Sequence, residues 1–404
     1  METESGRQRP LEEVAHGGWD AIVIGAGPAG SVAALHLARA GRRALLTDRA
    51  AFPREKVCGD ALIPDAIACL RRAGLWEEVR SAGYAPATAT VFSPSRHELD
   101  VPGDYLTVKR RVLDNLLAGA ASEAGAPFCR AAARSIRASS GGVTVRFEGD
   151  AREFQARAVI LATGADVSLA RGLGMVDSPG PTAFAMRCYV RSDLALDRLV
   201  VAYDRSTLPG YAWIFPMGNR EFNVGCGVLA RDGKPPVNLK AAYEGFMTSF
   251  PLARELSAKS QGSTPLKGAM LRCGLRGTRV LAEGPVVAVG ETIGATFPYT
   301  GEGIGKAMET GEMAASMLSQ ALEVGDMRAL EVLGEAIEER LRPRYLGYEV
   351  AERWFARPWL NDFLVKRGRT SPFVQRVLPE IFAERADPRE VFSPWGLIKI
   401  LVGR

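Results

Sequence analysis

Three glycines near the N-terminus and an acidic residue after them are spaced for chemistry with a dinucleotide. Gly25, Gly27 and Gly30 form a G-x-G-x-x-G pattern. The first glycine permits a tight turn, the second lets backbone approach a pyrophosphate, and the third lets a helix pack closely on a sheet. Asp48 stands where a carboxylate can accept hydrogen bonds from an adenosine ribose. We therefore predict a dinucleotide site that includes Gly25, Gly27, Ala29, Gly30, Asp48 and Arg49.

A second group of reactive side chains follows in the loop over residues 51–60, where Pro53 and Gly59 break regular structure. Arg54, Lys56 and Cys58 lie close together in this loop. Two cations near a thiol predict a lowered pKa for Cys58. The alternative is a small buried cysteine in a basic surface loop, because free cysteine usually packs as a small hydrophobe.

Two further apolar stretches end in small residues that could approach the same ligand. The stretch 159–161 runs into Thr163 and Gly164, and the stretch 284–290 runs into Glu291. The segment 297–304 then opens a helix through about residue 322. A glycine loop at a helix start presents N–H groups and the positive end of the helix dipole to an anion.

Three aromatic rings alternate along the segment 210–216, which reads GYAWIFP. A strand would place Tyr211, Trp213 and Phe215 on one face, because successive side chains point to opposite sides. This stripe is either ordinary core packing or the aromatic wall of a pocket for an apolar substrate.

The elements that would position these residues begin with a β-α-β unit. Residues 21–24 and 43–47 predict buried strands, and residues 29–40 predict the helix between them, which stops at Gly41. A run of short strands over 183–229 predicts a separate sheet inserted between the cofactor segments. The tail over 327–404 is mainly helical. It is interpreted as a cap over the substrate side, as a surface for lipid or a partner, or as plain core packing.

Composition excludes several classes of protein. The 404 residues are 47% hydrophobic and 24% charged, and the net charge of +5 is spread along the chain, as in an ordinary soluble protein without a nucleic-acid-binding module. The six cysteines form no CxxC pair and the three histidines are scattered, so we expect neither disulfides nor a metal site. No apolar run is long enough to span a membrane. We expect a cytoplasmic protein, with peripheral membrane contact left open.

These residues together resemble the FAD-dependent oxidoreductases of the p-hydroxybenzoate hydroxylase fold, and within that group the geranylgeranyl reductase branch. The resemblance covers residues 19–320 and implies FAD as the cofactor. The loop that holds Cys58 resembles that branch's loop beside the flavin, which implies that this thiol lies near the isoalloxazine. Cys58 is therefore the candidate catalytic residue. Arg111 and Asp114 resemble the R-x-x-L-D helix start, whose arginine lies near FAD.

The other motifs of the branch recur as well. The Thr163-Gly164 turn resembles its Ala-Thr-Gly turn, and the residues from Gly290 onward resemble its second FAD motif. The Y-x-W-x-F-P strand resembles the one implied to line an isoprenoid tunnel. Further FAD residues implied in this way are Arg54, Cys58, Gly59, Arg111, Thr163, Gly164, Gly290, Glu291, Pro298, Gly301, Gly303 and Ile304. The substrate residues implied are Tyr211, Trp213, Phe215 and Pro216.

At three places the sequence departs from the motifs of the groups that it resembles. Glu291 stands where the second motif normally has Asp. Asp60 stands where the archaeal reductases tend to have glycine. Flavin-dependent halogenases carry W-x-W-x-I-P in the comparable strand, where this chain has Tyr211 and Phe215 for the first Trp and the Ile.

The predicted fold class is α/β with α+β elements. A Rossmann-type FAD-binding domain, over residues 19–175 and 275–325, carries an inserted antiparallel substrate sheet over 176–274. Part of 60–110 faces the substrate, and a helical cap covers 326–404. The polar residues 1–18 are expected to be disordered.

The leading functional hypothesis is an FAD enzyme that reduces carbon–carbon double bonds of an apolar isoprenoid or polyketide-like substrate, with hydride from reduced flavin N5. The alternative is a monooxygenase, epoxidase or halogenase that uses O₂, because one fold supports both chemistries. A flavin-bound sensor without turnover is a third reading. The electron donor is NAD(P)H or a reductase partner.

Overall fold

The structure is a computed structural model that describes residues 8–15, 17–139, 141–177, 180–230 and 233–402. Its strands in chain order are β1 Trp19–Ile24, β2 Ala44–Asp48, β3 Ala61–Leu62, β4 Ala89–Phe92, β5 Glu98–Val101, β6 Leu106–Thr107, β7 Phe128–Arg130, β8 Ala133–Ser139, β9 Gly142–Phe147, β10 Phe154–Leu161, β11 Ala183–Ser192, β12 Leu199–Ala202, β13 Tyr211–Pro216, β14 Glu221–Leu229, β15 Ser260–Ser263, β16 Lys267–Leu271, β17 Ala282–Glu283 and β18 Val286–Ala288.

Helices connect and cover these strands. They are α1 Leu11–Val14, α2 Pro28–Arg39, α3 Pro64–Arg72, α4 Trp76–Ser81, α5 Arg110–Glu123, α6 Ser168–Gly172, α7 Leu239–Ser249, α8 Pro251–Ala258, α9 Ile304–Val324, α10 Glu331–Phe355, α11 Pro358–Gly368, α12 Pro372–Phe382 and α13 Pro394–Val402, with 3₁₀ turns at Gly290–Ile293, Met327–Leu330 and Pro388–Glu390. No helix among the described residues is both long and apolar enough to cross a bilayer.

The first sheet is the nucleotide-binding layer. Its parallel core runs in the order β18-β10-β1-β2-β7, and the antiparallel pair β8-β9 extends it from β10. Residues 21–24 of β1 are buried because parallel strands are covered on both faces. The predicted α/β architecture with a Rossmann-type unit is confirmed. The carboxyl ends of β1, β2, β10 and β18 meet at one edge, where open α/β sheets bind ligands.

The second sheet has the order β15-β11-β14-β13-β12-β4-β5 and is mostly antiparallel, with β16 also paired to β11. Along β13 the side chains alternate between its two faces. Ala212 and Ile214 pack with Phe246 of α7 and Phe250 in one core cluster, whereas Trp213 and Phe215 pack on the opposite side. Strands β4 and β5 come from the segment 60–110, part of which was expected to face the substrate. The exact domain limits stay a prediction.

Helices α2 and α9 pack closely against each other. A Cβ added to Gly311 of α9 would lie 2.2 Å from the carbonyl oxygen of Ala29 in α2, so the two helices are in backbone contact at this point. This contact brings the N-terminal ends of α2 and α9 towards the same cavity, which both Ala29 and Ile304 line.

The N-terminal segment differs in part from its expectation. Residues 11–14 form the short helix α1, with Val14 buried in the main core. The indole Nε1 of Trp19 donates to the carbonyl of Val14 at 3.2 Å. The expected disorder over 1–18 is therefore wrong for α1, because one apolar side chain anchors it. Residues 1–7 and 16 lie outside the described residues.

Candidate active site

One cavity of about 680 Å³ runs from the carboxyl edge of the first sheet to the inner face of the second. Its volume lies in the range of small-molecule sites, about 300–1,000 Å³. Of the predicted residues, its lining includes Gly25, Gly27, Ala29, Asp48, Arg49, Arg54, Cys58, Gly59, Thr163, Gly164, Glu291, Pro298, Gly301, Gly303, Ile304, Tyr211, Trp213 and Phe215. The lining leaves out Gly30, Arg111, Gly290 and Pro216.

Gly25 and Gly30 shape the nucleotide end through backbone contacts. Gly25 has a φ of +105°, and a Cβ there would lie 2.2 Å from the carbonyl oxygen of Ala162. A Cβ on Gly30 would lie 1.8 Å from the Gly25 oxygen. Gly30 thus acts behind the cavity wall, as its predicted helix-packing role requires. Gly27 caps α2, whose first-turn N–H groups face the cavity.

Asp48 ends β2 beside this turn. Its carboxylate accepts N–H groups from Ala26 and Ala50, each at 2.9 Å, and the residue is only 8% exposed. Two backbone donors hold the carboxylate in a fixed orientation at the cavity wall. Its remaining lone pairs can accept ribose hydroxyls.

Arg54 reaches across the nucleotide end. Its guanidinium lies 3.2 Å from Asp114 and 3.6 Å from Asp48, and it stacks on the ring of Phe52. A Cβ on Gly27 would come within 3.4 Å of this guanidinium. A cation fixed over the glycine turn can bind a phosphate.

The arginine that Asp114 orients is Arg110, one position before the predicted Arg111. Arg110 donates through Nε and Nη2 to the two carboxylate oxygens of Asp114 at 2.7 and 2.8 Å, and Arg110 lines the cavity. In the sequence, the R-x-x-L-D pattern that ends at Asp114 begins at Arg110 and not at Arg111. The one-residue shift was detectable from the sequence.

The neighbourhood of Cys58 differs from its expectation. Lys56 pairs with Glu291 at 3.3 Å, and Arg54 faces the two aspartates. Burial, reinforced by the charge of Asp60, raises the pKa of the Cys58 thiol, against a partial opposing effect of Arg110. The predicted lowering of this pKa is therefore wrong, because sequence proximity did not place either loop cation on the thiol.

Asp60 secures the loop that carries Cys58. Its carboxylate accepts the hydroxyl of Tyr189 at 2.5 Å and the amide of Asn223 at 2.8 Å, and Asn223 also donates to the Cys58 carbonyl at 2.8 Å. Asp60 has a φ of 63°, the left-handed conformation that favours glycine. Burial raises the pKa of Asp60 to about 6, and the bonds from Tyr189 and Asn223 oppose that rise.

The turn after β10 and the turn after β18 meet at Thr163 and Thr292. Gly164 donates its N–H to the hydroxyl of Thr292 at 3.0 Å. Glu291 accepts the Arg272 N–H at 3.3 Å in addition to its contact with Lys56. Gly290 lies behind this turn and donates to Thr310 of α9 at 3.0 Å. Glu291 thus remains at the cavity wall despite its extra methylene.

The substrate end is an aromatic wall. The rings of Tyr211, Trp213 and Phe215 follow one another with centroids 6.0 and 6.1 Å apart, which confirms that they share a face. The indole N–H of Trp213 donates to Asn223 at 2.9 Å. Pro216 points elsewhere, and its carbonyl accepts the hydroxyl of Thr107.

The wall continues with rings that sequence analysis did not select. Tyr203, Tyr299 and Phe355 line the cavity with centroids 5.0–6.0 Å apart, and the hydroxyls of the two tyrosines are hydrogen-bonded. They come from the end of β12, the loop before α9, and the end of α10. The aromatic content of the tail was the single available signal for Phe355.

The donor set fits FAD. The α2 N-terminus and Arg54 can hold phosphates, Asp48 can hold a ribose, and the glycine turns leave backbone within reach of a ligand. The α9 N-terminus faces the middle of the cavity through Gly303 and Ile304. Added Cβ atoms at Gly25 or Gly303 would collide with neighbouring atoms at 2.2 and 2.5 Å.

Comparison with known proteins agrees with this geometry. A family model described as an FAD binding domain matches residues 19–331. Menaquinone reductase of Mycobacterium tuberculosis is 32% identical over 358 residues, which cover 83% of this chain and 82% of that protein. Digeranylgeranylglycerophospholipid reductase 2 of Methanopyrus kandleri is 31% identical over 320 residues, 77% of this chain and 79% of that protein.

Solved structures show the same fold. A geranylgeranyl bacteriochlorophyll reductase-like protein from Thermoplasma acidophilum superposes with a TM-score of 0.73 at 21% identity, covering 95% of this chain and 96% of that one. The halogenase PltM in complex with phloroglucinol and FAD superposes with a TM-score of 0.70 at 17% identity, covering 92% and 85%.

Proposed function

Because the chain belongs to the FAD-binding domain family and is an FAD-dependent oxidoreductase, we propose that it reduces carbon–carbon double bonds of an apolar isoprenoid or polyketide-like substrate. One observation carries this proposal. A single cavity joins the nucleotide-binding turns to the aromatic wall of Tyr211, Trp213 and Phe215. An apolar chain on that wall would lie against the cofactor without crossing solvent. The reductase names of the relatives support the same chemistry.

The residues of this protein would bind and orient the cofactor and the substrate and exclude water from them. Reduced FAD, when bound, supplies hydride. The N–H groups at the start of α9 would face negative charge at the centre of the site and stabilise it. The aromatic wall would exclude water and hold the substrate by apolar burial.

The decisive experiment is anaerobic. The holoenzyme is reduced with dithionite, freed of excess dithionite, and mixed with a polyprenyl-chain menaquinone in detergent. We expect the yellow absorbance to return and the polyprenyl chain to gain two hydrogens, measured by mass after air has reoxidised any quinol, because reduction of the quinone ring also adds two hydrogens. Absorbance that returns with O₂ alone, while the lipid mass stays unchanged, would contradict the proposal.

Cys58 is proposed at the reacting face because it lines the cavity next to Gly59, whose added Cβ would touch the Phe215 ring at 3.2 Å. Its raised pKa keeps it a neutral thiol at neutral pH. Cys58→Ala should retain FAD and lose turnover. Unchanged turnover removes the thiol from the mechanism.

The oxygen-dependent alternative shares this fold, as the halogenase comparison shows. Product mass separates the two, since oxygenation or halogenation adds oxygen or halogen in place of two hydrogens. The electron donor is proposed to be NAD(P)H or a reductase partner. Anaerobic bleaching by NADH, by NADPH, or only after a flavin reductase is added would identify it.

A peripheral contact with membrane lipid is proposed for the C-terminal face. Trp359 and Trp395 are 67% and 66% exposed, and Leu401 and Val402, on the same helix as Trp395, are exposed as well. Helix α13 carries Lys399 and no acidic residue. Exposed indoles with basic neighbours favour an anionic lipid surface. Joint substitution of Trp359 and Trp395 by Ala should abolish co-sedimentation with phosphatidylglycerol vesicles, with FAD retained.

A further inference from the structure

Glu302 is a carboxyl group in the cavity wall that neither the nucleotide site nor the aromatic wall explains. It lies in the loop before α9, where its carbonyl accepts the Phe297 N–H at 2.9 Å. The hydroxyl of Tyr211 donates to the carbonyl of Thr300 in the same loop. This bond ties the loop to the aromatic strand β13, so Glu302 lies at the junction of cofactor and substrate regions.

The side chain has no ion pair among the described residues, and the hydroxyl of Thr300 is the neighbouring side chain that favours its charged form. Its Oε2 atom is inaccessible to solvent and has no hydrogen-bond partner in the part of the chain that the structure describes. A buried unpaired carboxylate costs several kcal/mol, whereas a protonated carboxyl is much less costly. The neutral acid is therefore the stable form in this position.

Four tyrosines lie close enough to the carboxyl for its charge to affect their hydroxyls. Burial first, and then a charge on Glu302, raise the pKa of Tyr105, Tyr203 and Tyr348. Tyr211 is affected in the same way. Since all four tyrosines line the cavity, the carboxyl faces the space that a substrate would fill.

The charges of Asp65, Glu384 and Lys306 act on the Glu302 carboxyl, and these residues belong to an ionic cluster, which we define as Asp65, Lys306, Glu309, Glu384 and Arg340. Lys306 lies 3.8 Å from Asp65 and 2.5 Å from Glu384, and it also pairs with Glu309. Arg340 is half exposed and contacts Glu309 at 2.8 Å. The cluster therefore extends from the buried Asp65 to Arg340 at the surface.

Within this group the acids outnumber the cations. Three carboxyl groups of the cluster and Glu302 itself face Lys306 and Arg340. Burial, and then the charges of Asp65 and Glu384, raise the pKa of Glu302 to about 8, opposed by the hydrogen bond from Thr300 and by the charge of Lys306. Burial and the charges of Glu384 and Glu309 raise the pKa of Asp65 to about 7, again against Lys306. The surplus of acids retains protons near neutral pH.

We propose that Glu302 is the proton donor of the double-bond reduction, supplied from solvent through the ionic cluster. One alkene carbon receives hydride from the reduced cofactor. The electron pair of the double bond takes the proton from Glu302 at the other carbon, so the O–H bond breaks as the new C–H bond forms. The carboxylate then regains a proton from solvent through the cluster. This inference rests on the proposed function and deepens it.

The test compares Glu302→Gln with Glu352→Gln. Burial also raises the pKa of Glu352, but this residue does not line the cavity. We expect Glu302→Gln to bind FAD and accept electrons normally, yet to reduce the polyprenyl chain of the menaquinone about 10²–10⁴-fold more slowly. Wild-type transfer should fall as pH rises through about 8, because only the protonated acid donates. Glu302→Asp should restore part of the rate, whereas Glu352→Gln should match wild type.

Infrared titration of the apoprotein gives a readout independent of turnover. The wild type and Glu352→Gln should lose a protonated-carboxyl stretch across the same pH range, and Glu302→Gln should lack that change. Rapid reduction of the polyprenyl chain by Glu302→Gln, or an unaltered infrared change, overturns the donor role alone. A wild-type enzyme that leaves the polyprenyl chain unreduced overturns the proposed reduction and the donor role together.

Discussion

The two ends of the cavity are built by different means. The nucleotide end combines the side chains of Asp48 and Arg54 with a turn of close-packed backbone, where added Cβ atoms at Gly25 and Gly30 would overlap neighbouring carbonyl oxygens. The aromatic end is made of side chains from β13, β12, the loop before α9, and α10. A backbone wall accepts no added atom, whereas a wall of side chains can repack around changes in volume. The first end is thus suited to one invariant cofactor, and the second to variation in the substrate.

Gly30→Ala should have the largest effect and tests whether the nucleotide end tolerates an added atom. A Cβ at that position would lie 1.8 Å from the Gly25 oxygen, and backbone cannot move aside as a side chain can. We expect a protein without yellow absorbance and a loss of at least about 1–3 kcal/mol in the free energy of unfolding. Absorbance after incubation with excess FAD, together with denaturant titration, measures both.

Gly119→Ala is the matched control for that change. Gly119 lies in α5 with no atom within 4 Å of an added Cβ, so alanine should bind FAD normally and stabilise the helix slightly. Equal FAD binding by the Gly30 and Gly119 variants would refute the idea of a rigid backbone end.

Asp48→Asn should have the next largest effect. The amide would keep an acceptor for one backbone N–H but would lose the charge and place a donor against the other. We expect FAD to bind about 10–100-fold more weakly, in line with about 1–3 kcal/mol for a disrupted buried hydrogen bond. Quenching of FAD fluorescence measures the affinity. Asp150→Asn, which removes a surface partner of Arg152, should change nothing.

The contrast between the ends also explains what sequence analysis could predict. The nucleotide end depends on local spacing, and Gly25, Gly27 and Asp48, which the pattern alone selects, all line the cavity. The stripe of Tyr211, Trp213 and Phe215 followed from strand periodicity. The α/β class followed from the order of the elements.

Properties that depend on tertiary contact were missed. The pKa of Cys58 was predicted in the wrong direction because Lys56 is close in sequence but pairs with Glu291, which is remote in the chain. Tyr203 and Phe355 had no local pattern that pointed to the cavity. Glu302 had no signal either, since its chemistry comes from burial against residues of α3, α9 and the segment after α12.

Phe355→Ala tests the tolerant end. Removal of this ring opens space in the wall but leaves every FAD contact in place, so the FAD affinity should be unchanged. We expect the KM for the menaquinone to rise about tenfold, since burial of a large apolar side chain is worth about 1.5–3 kcal/mol. Leu346→Ala, an exposed site on the same helix, is the control. A loss of FAD from the Phe355 variant would show that the two ends are not separable.

Lys56→Ala should have the smallest effect and addresses the boundary between the ends. The Lys56–Glu291 pair is partly exposed, so its loss should change stability by less than about 1 kcal/mol. Alkylation of Cys58 by iodoacetamide should keep the same pH dependence. Burial and the charge of Asp60 raise the pKa of this thiol, and Lys56 pairs with Glu291 instead of lowering it. The Cys58→Ala protein corrects for labelling of the five buried cysteines. Slower alkylation in Lys56→Ala at neutral pH would mean that Lys56 favours the thiolate of Cys58. The effect that the sequence spacing predicts would then hold in the folded protein.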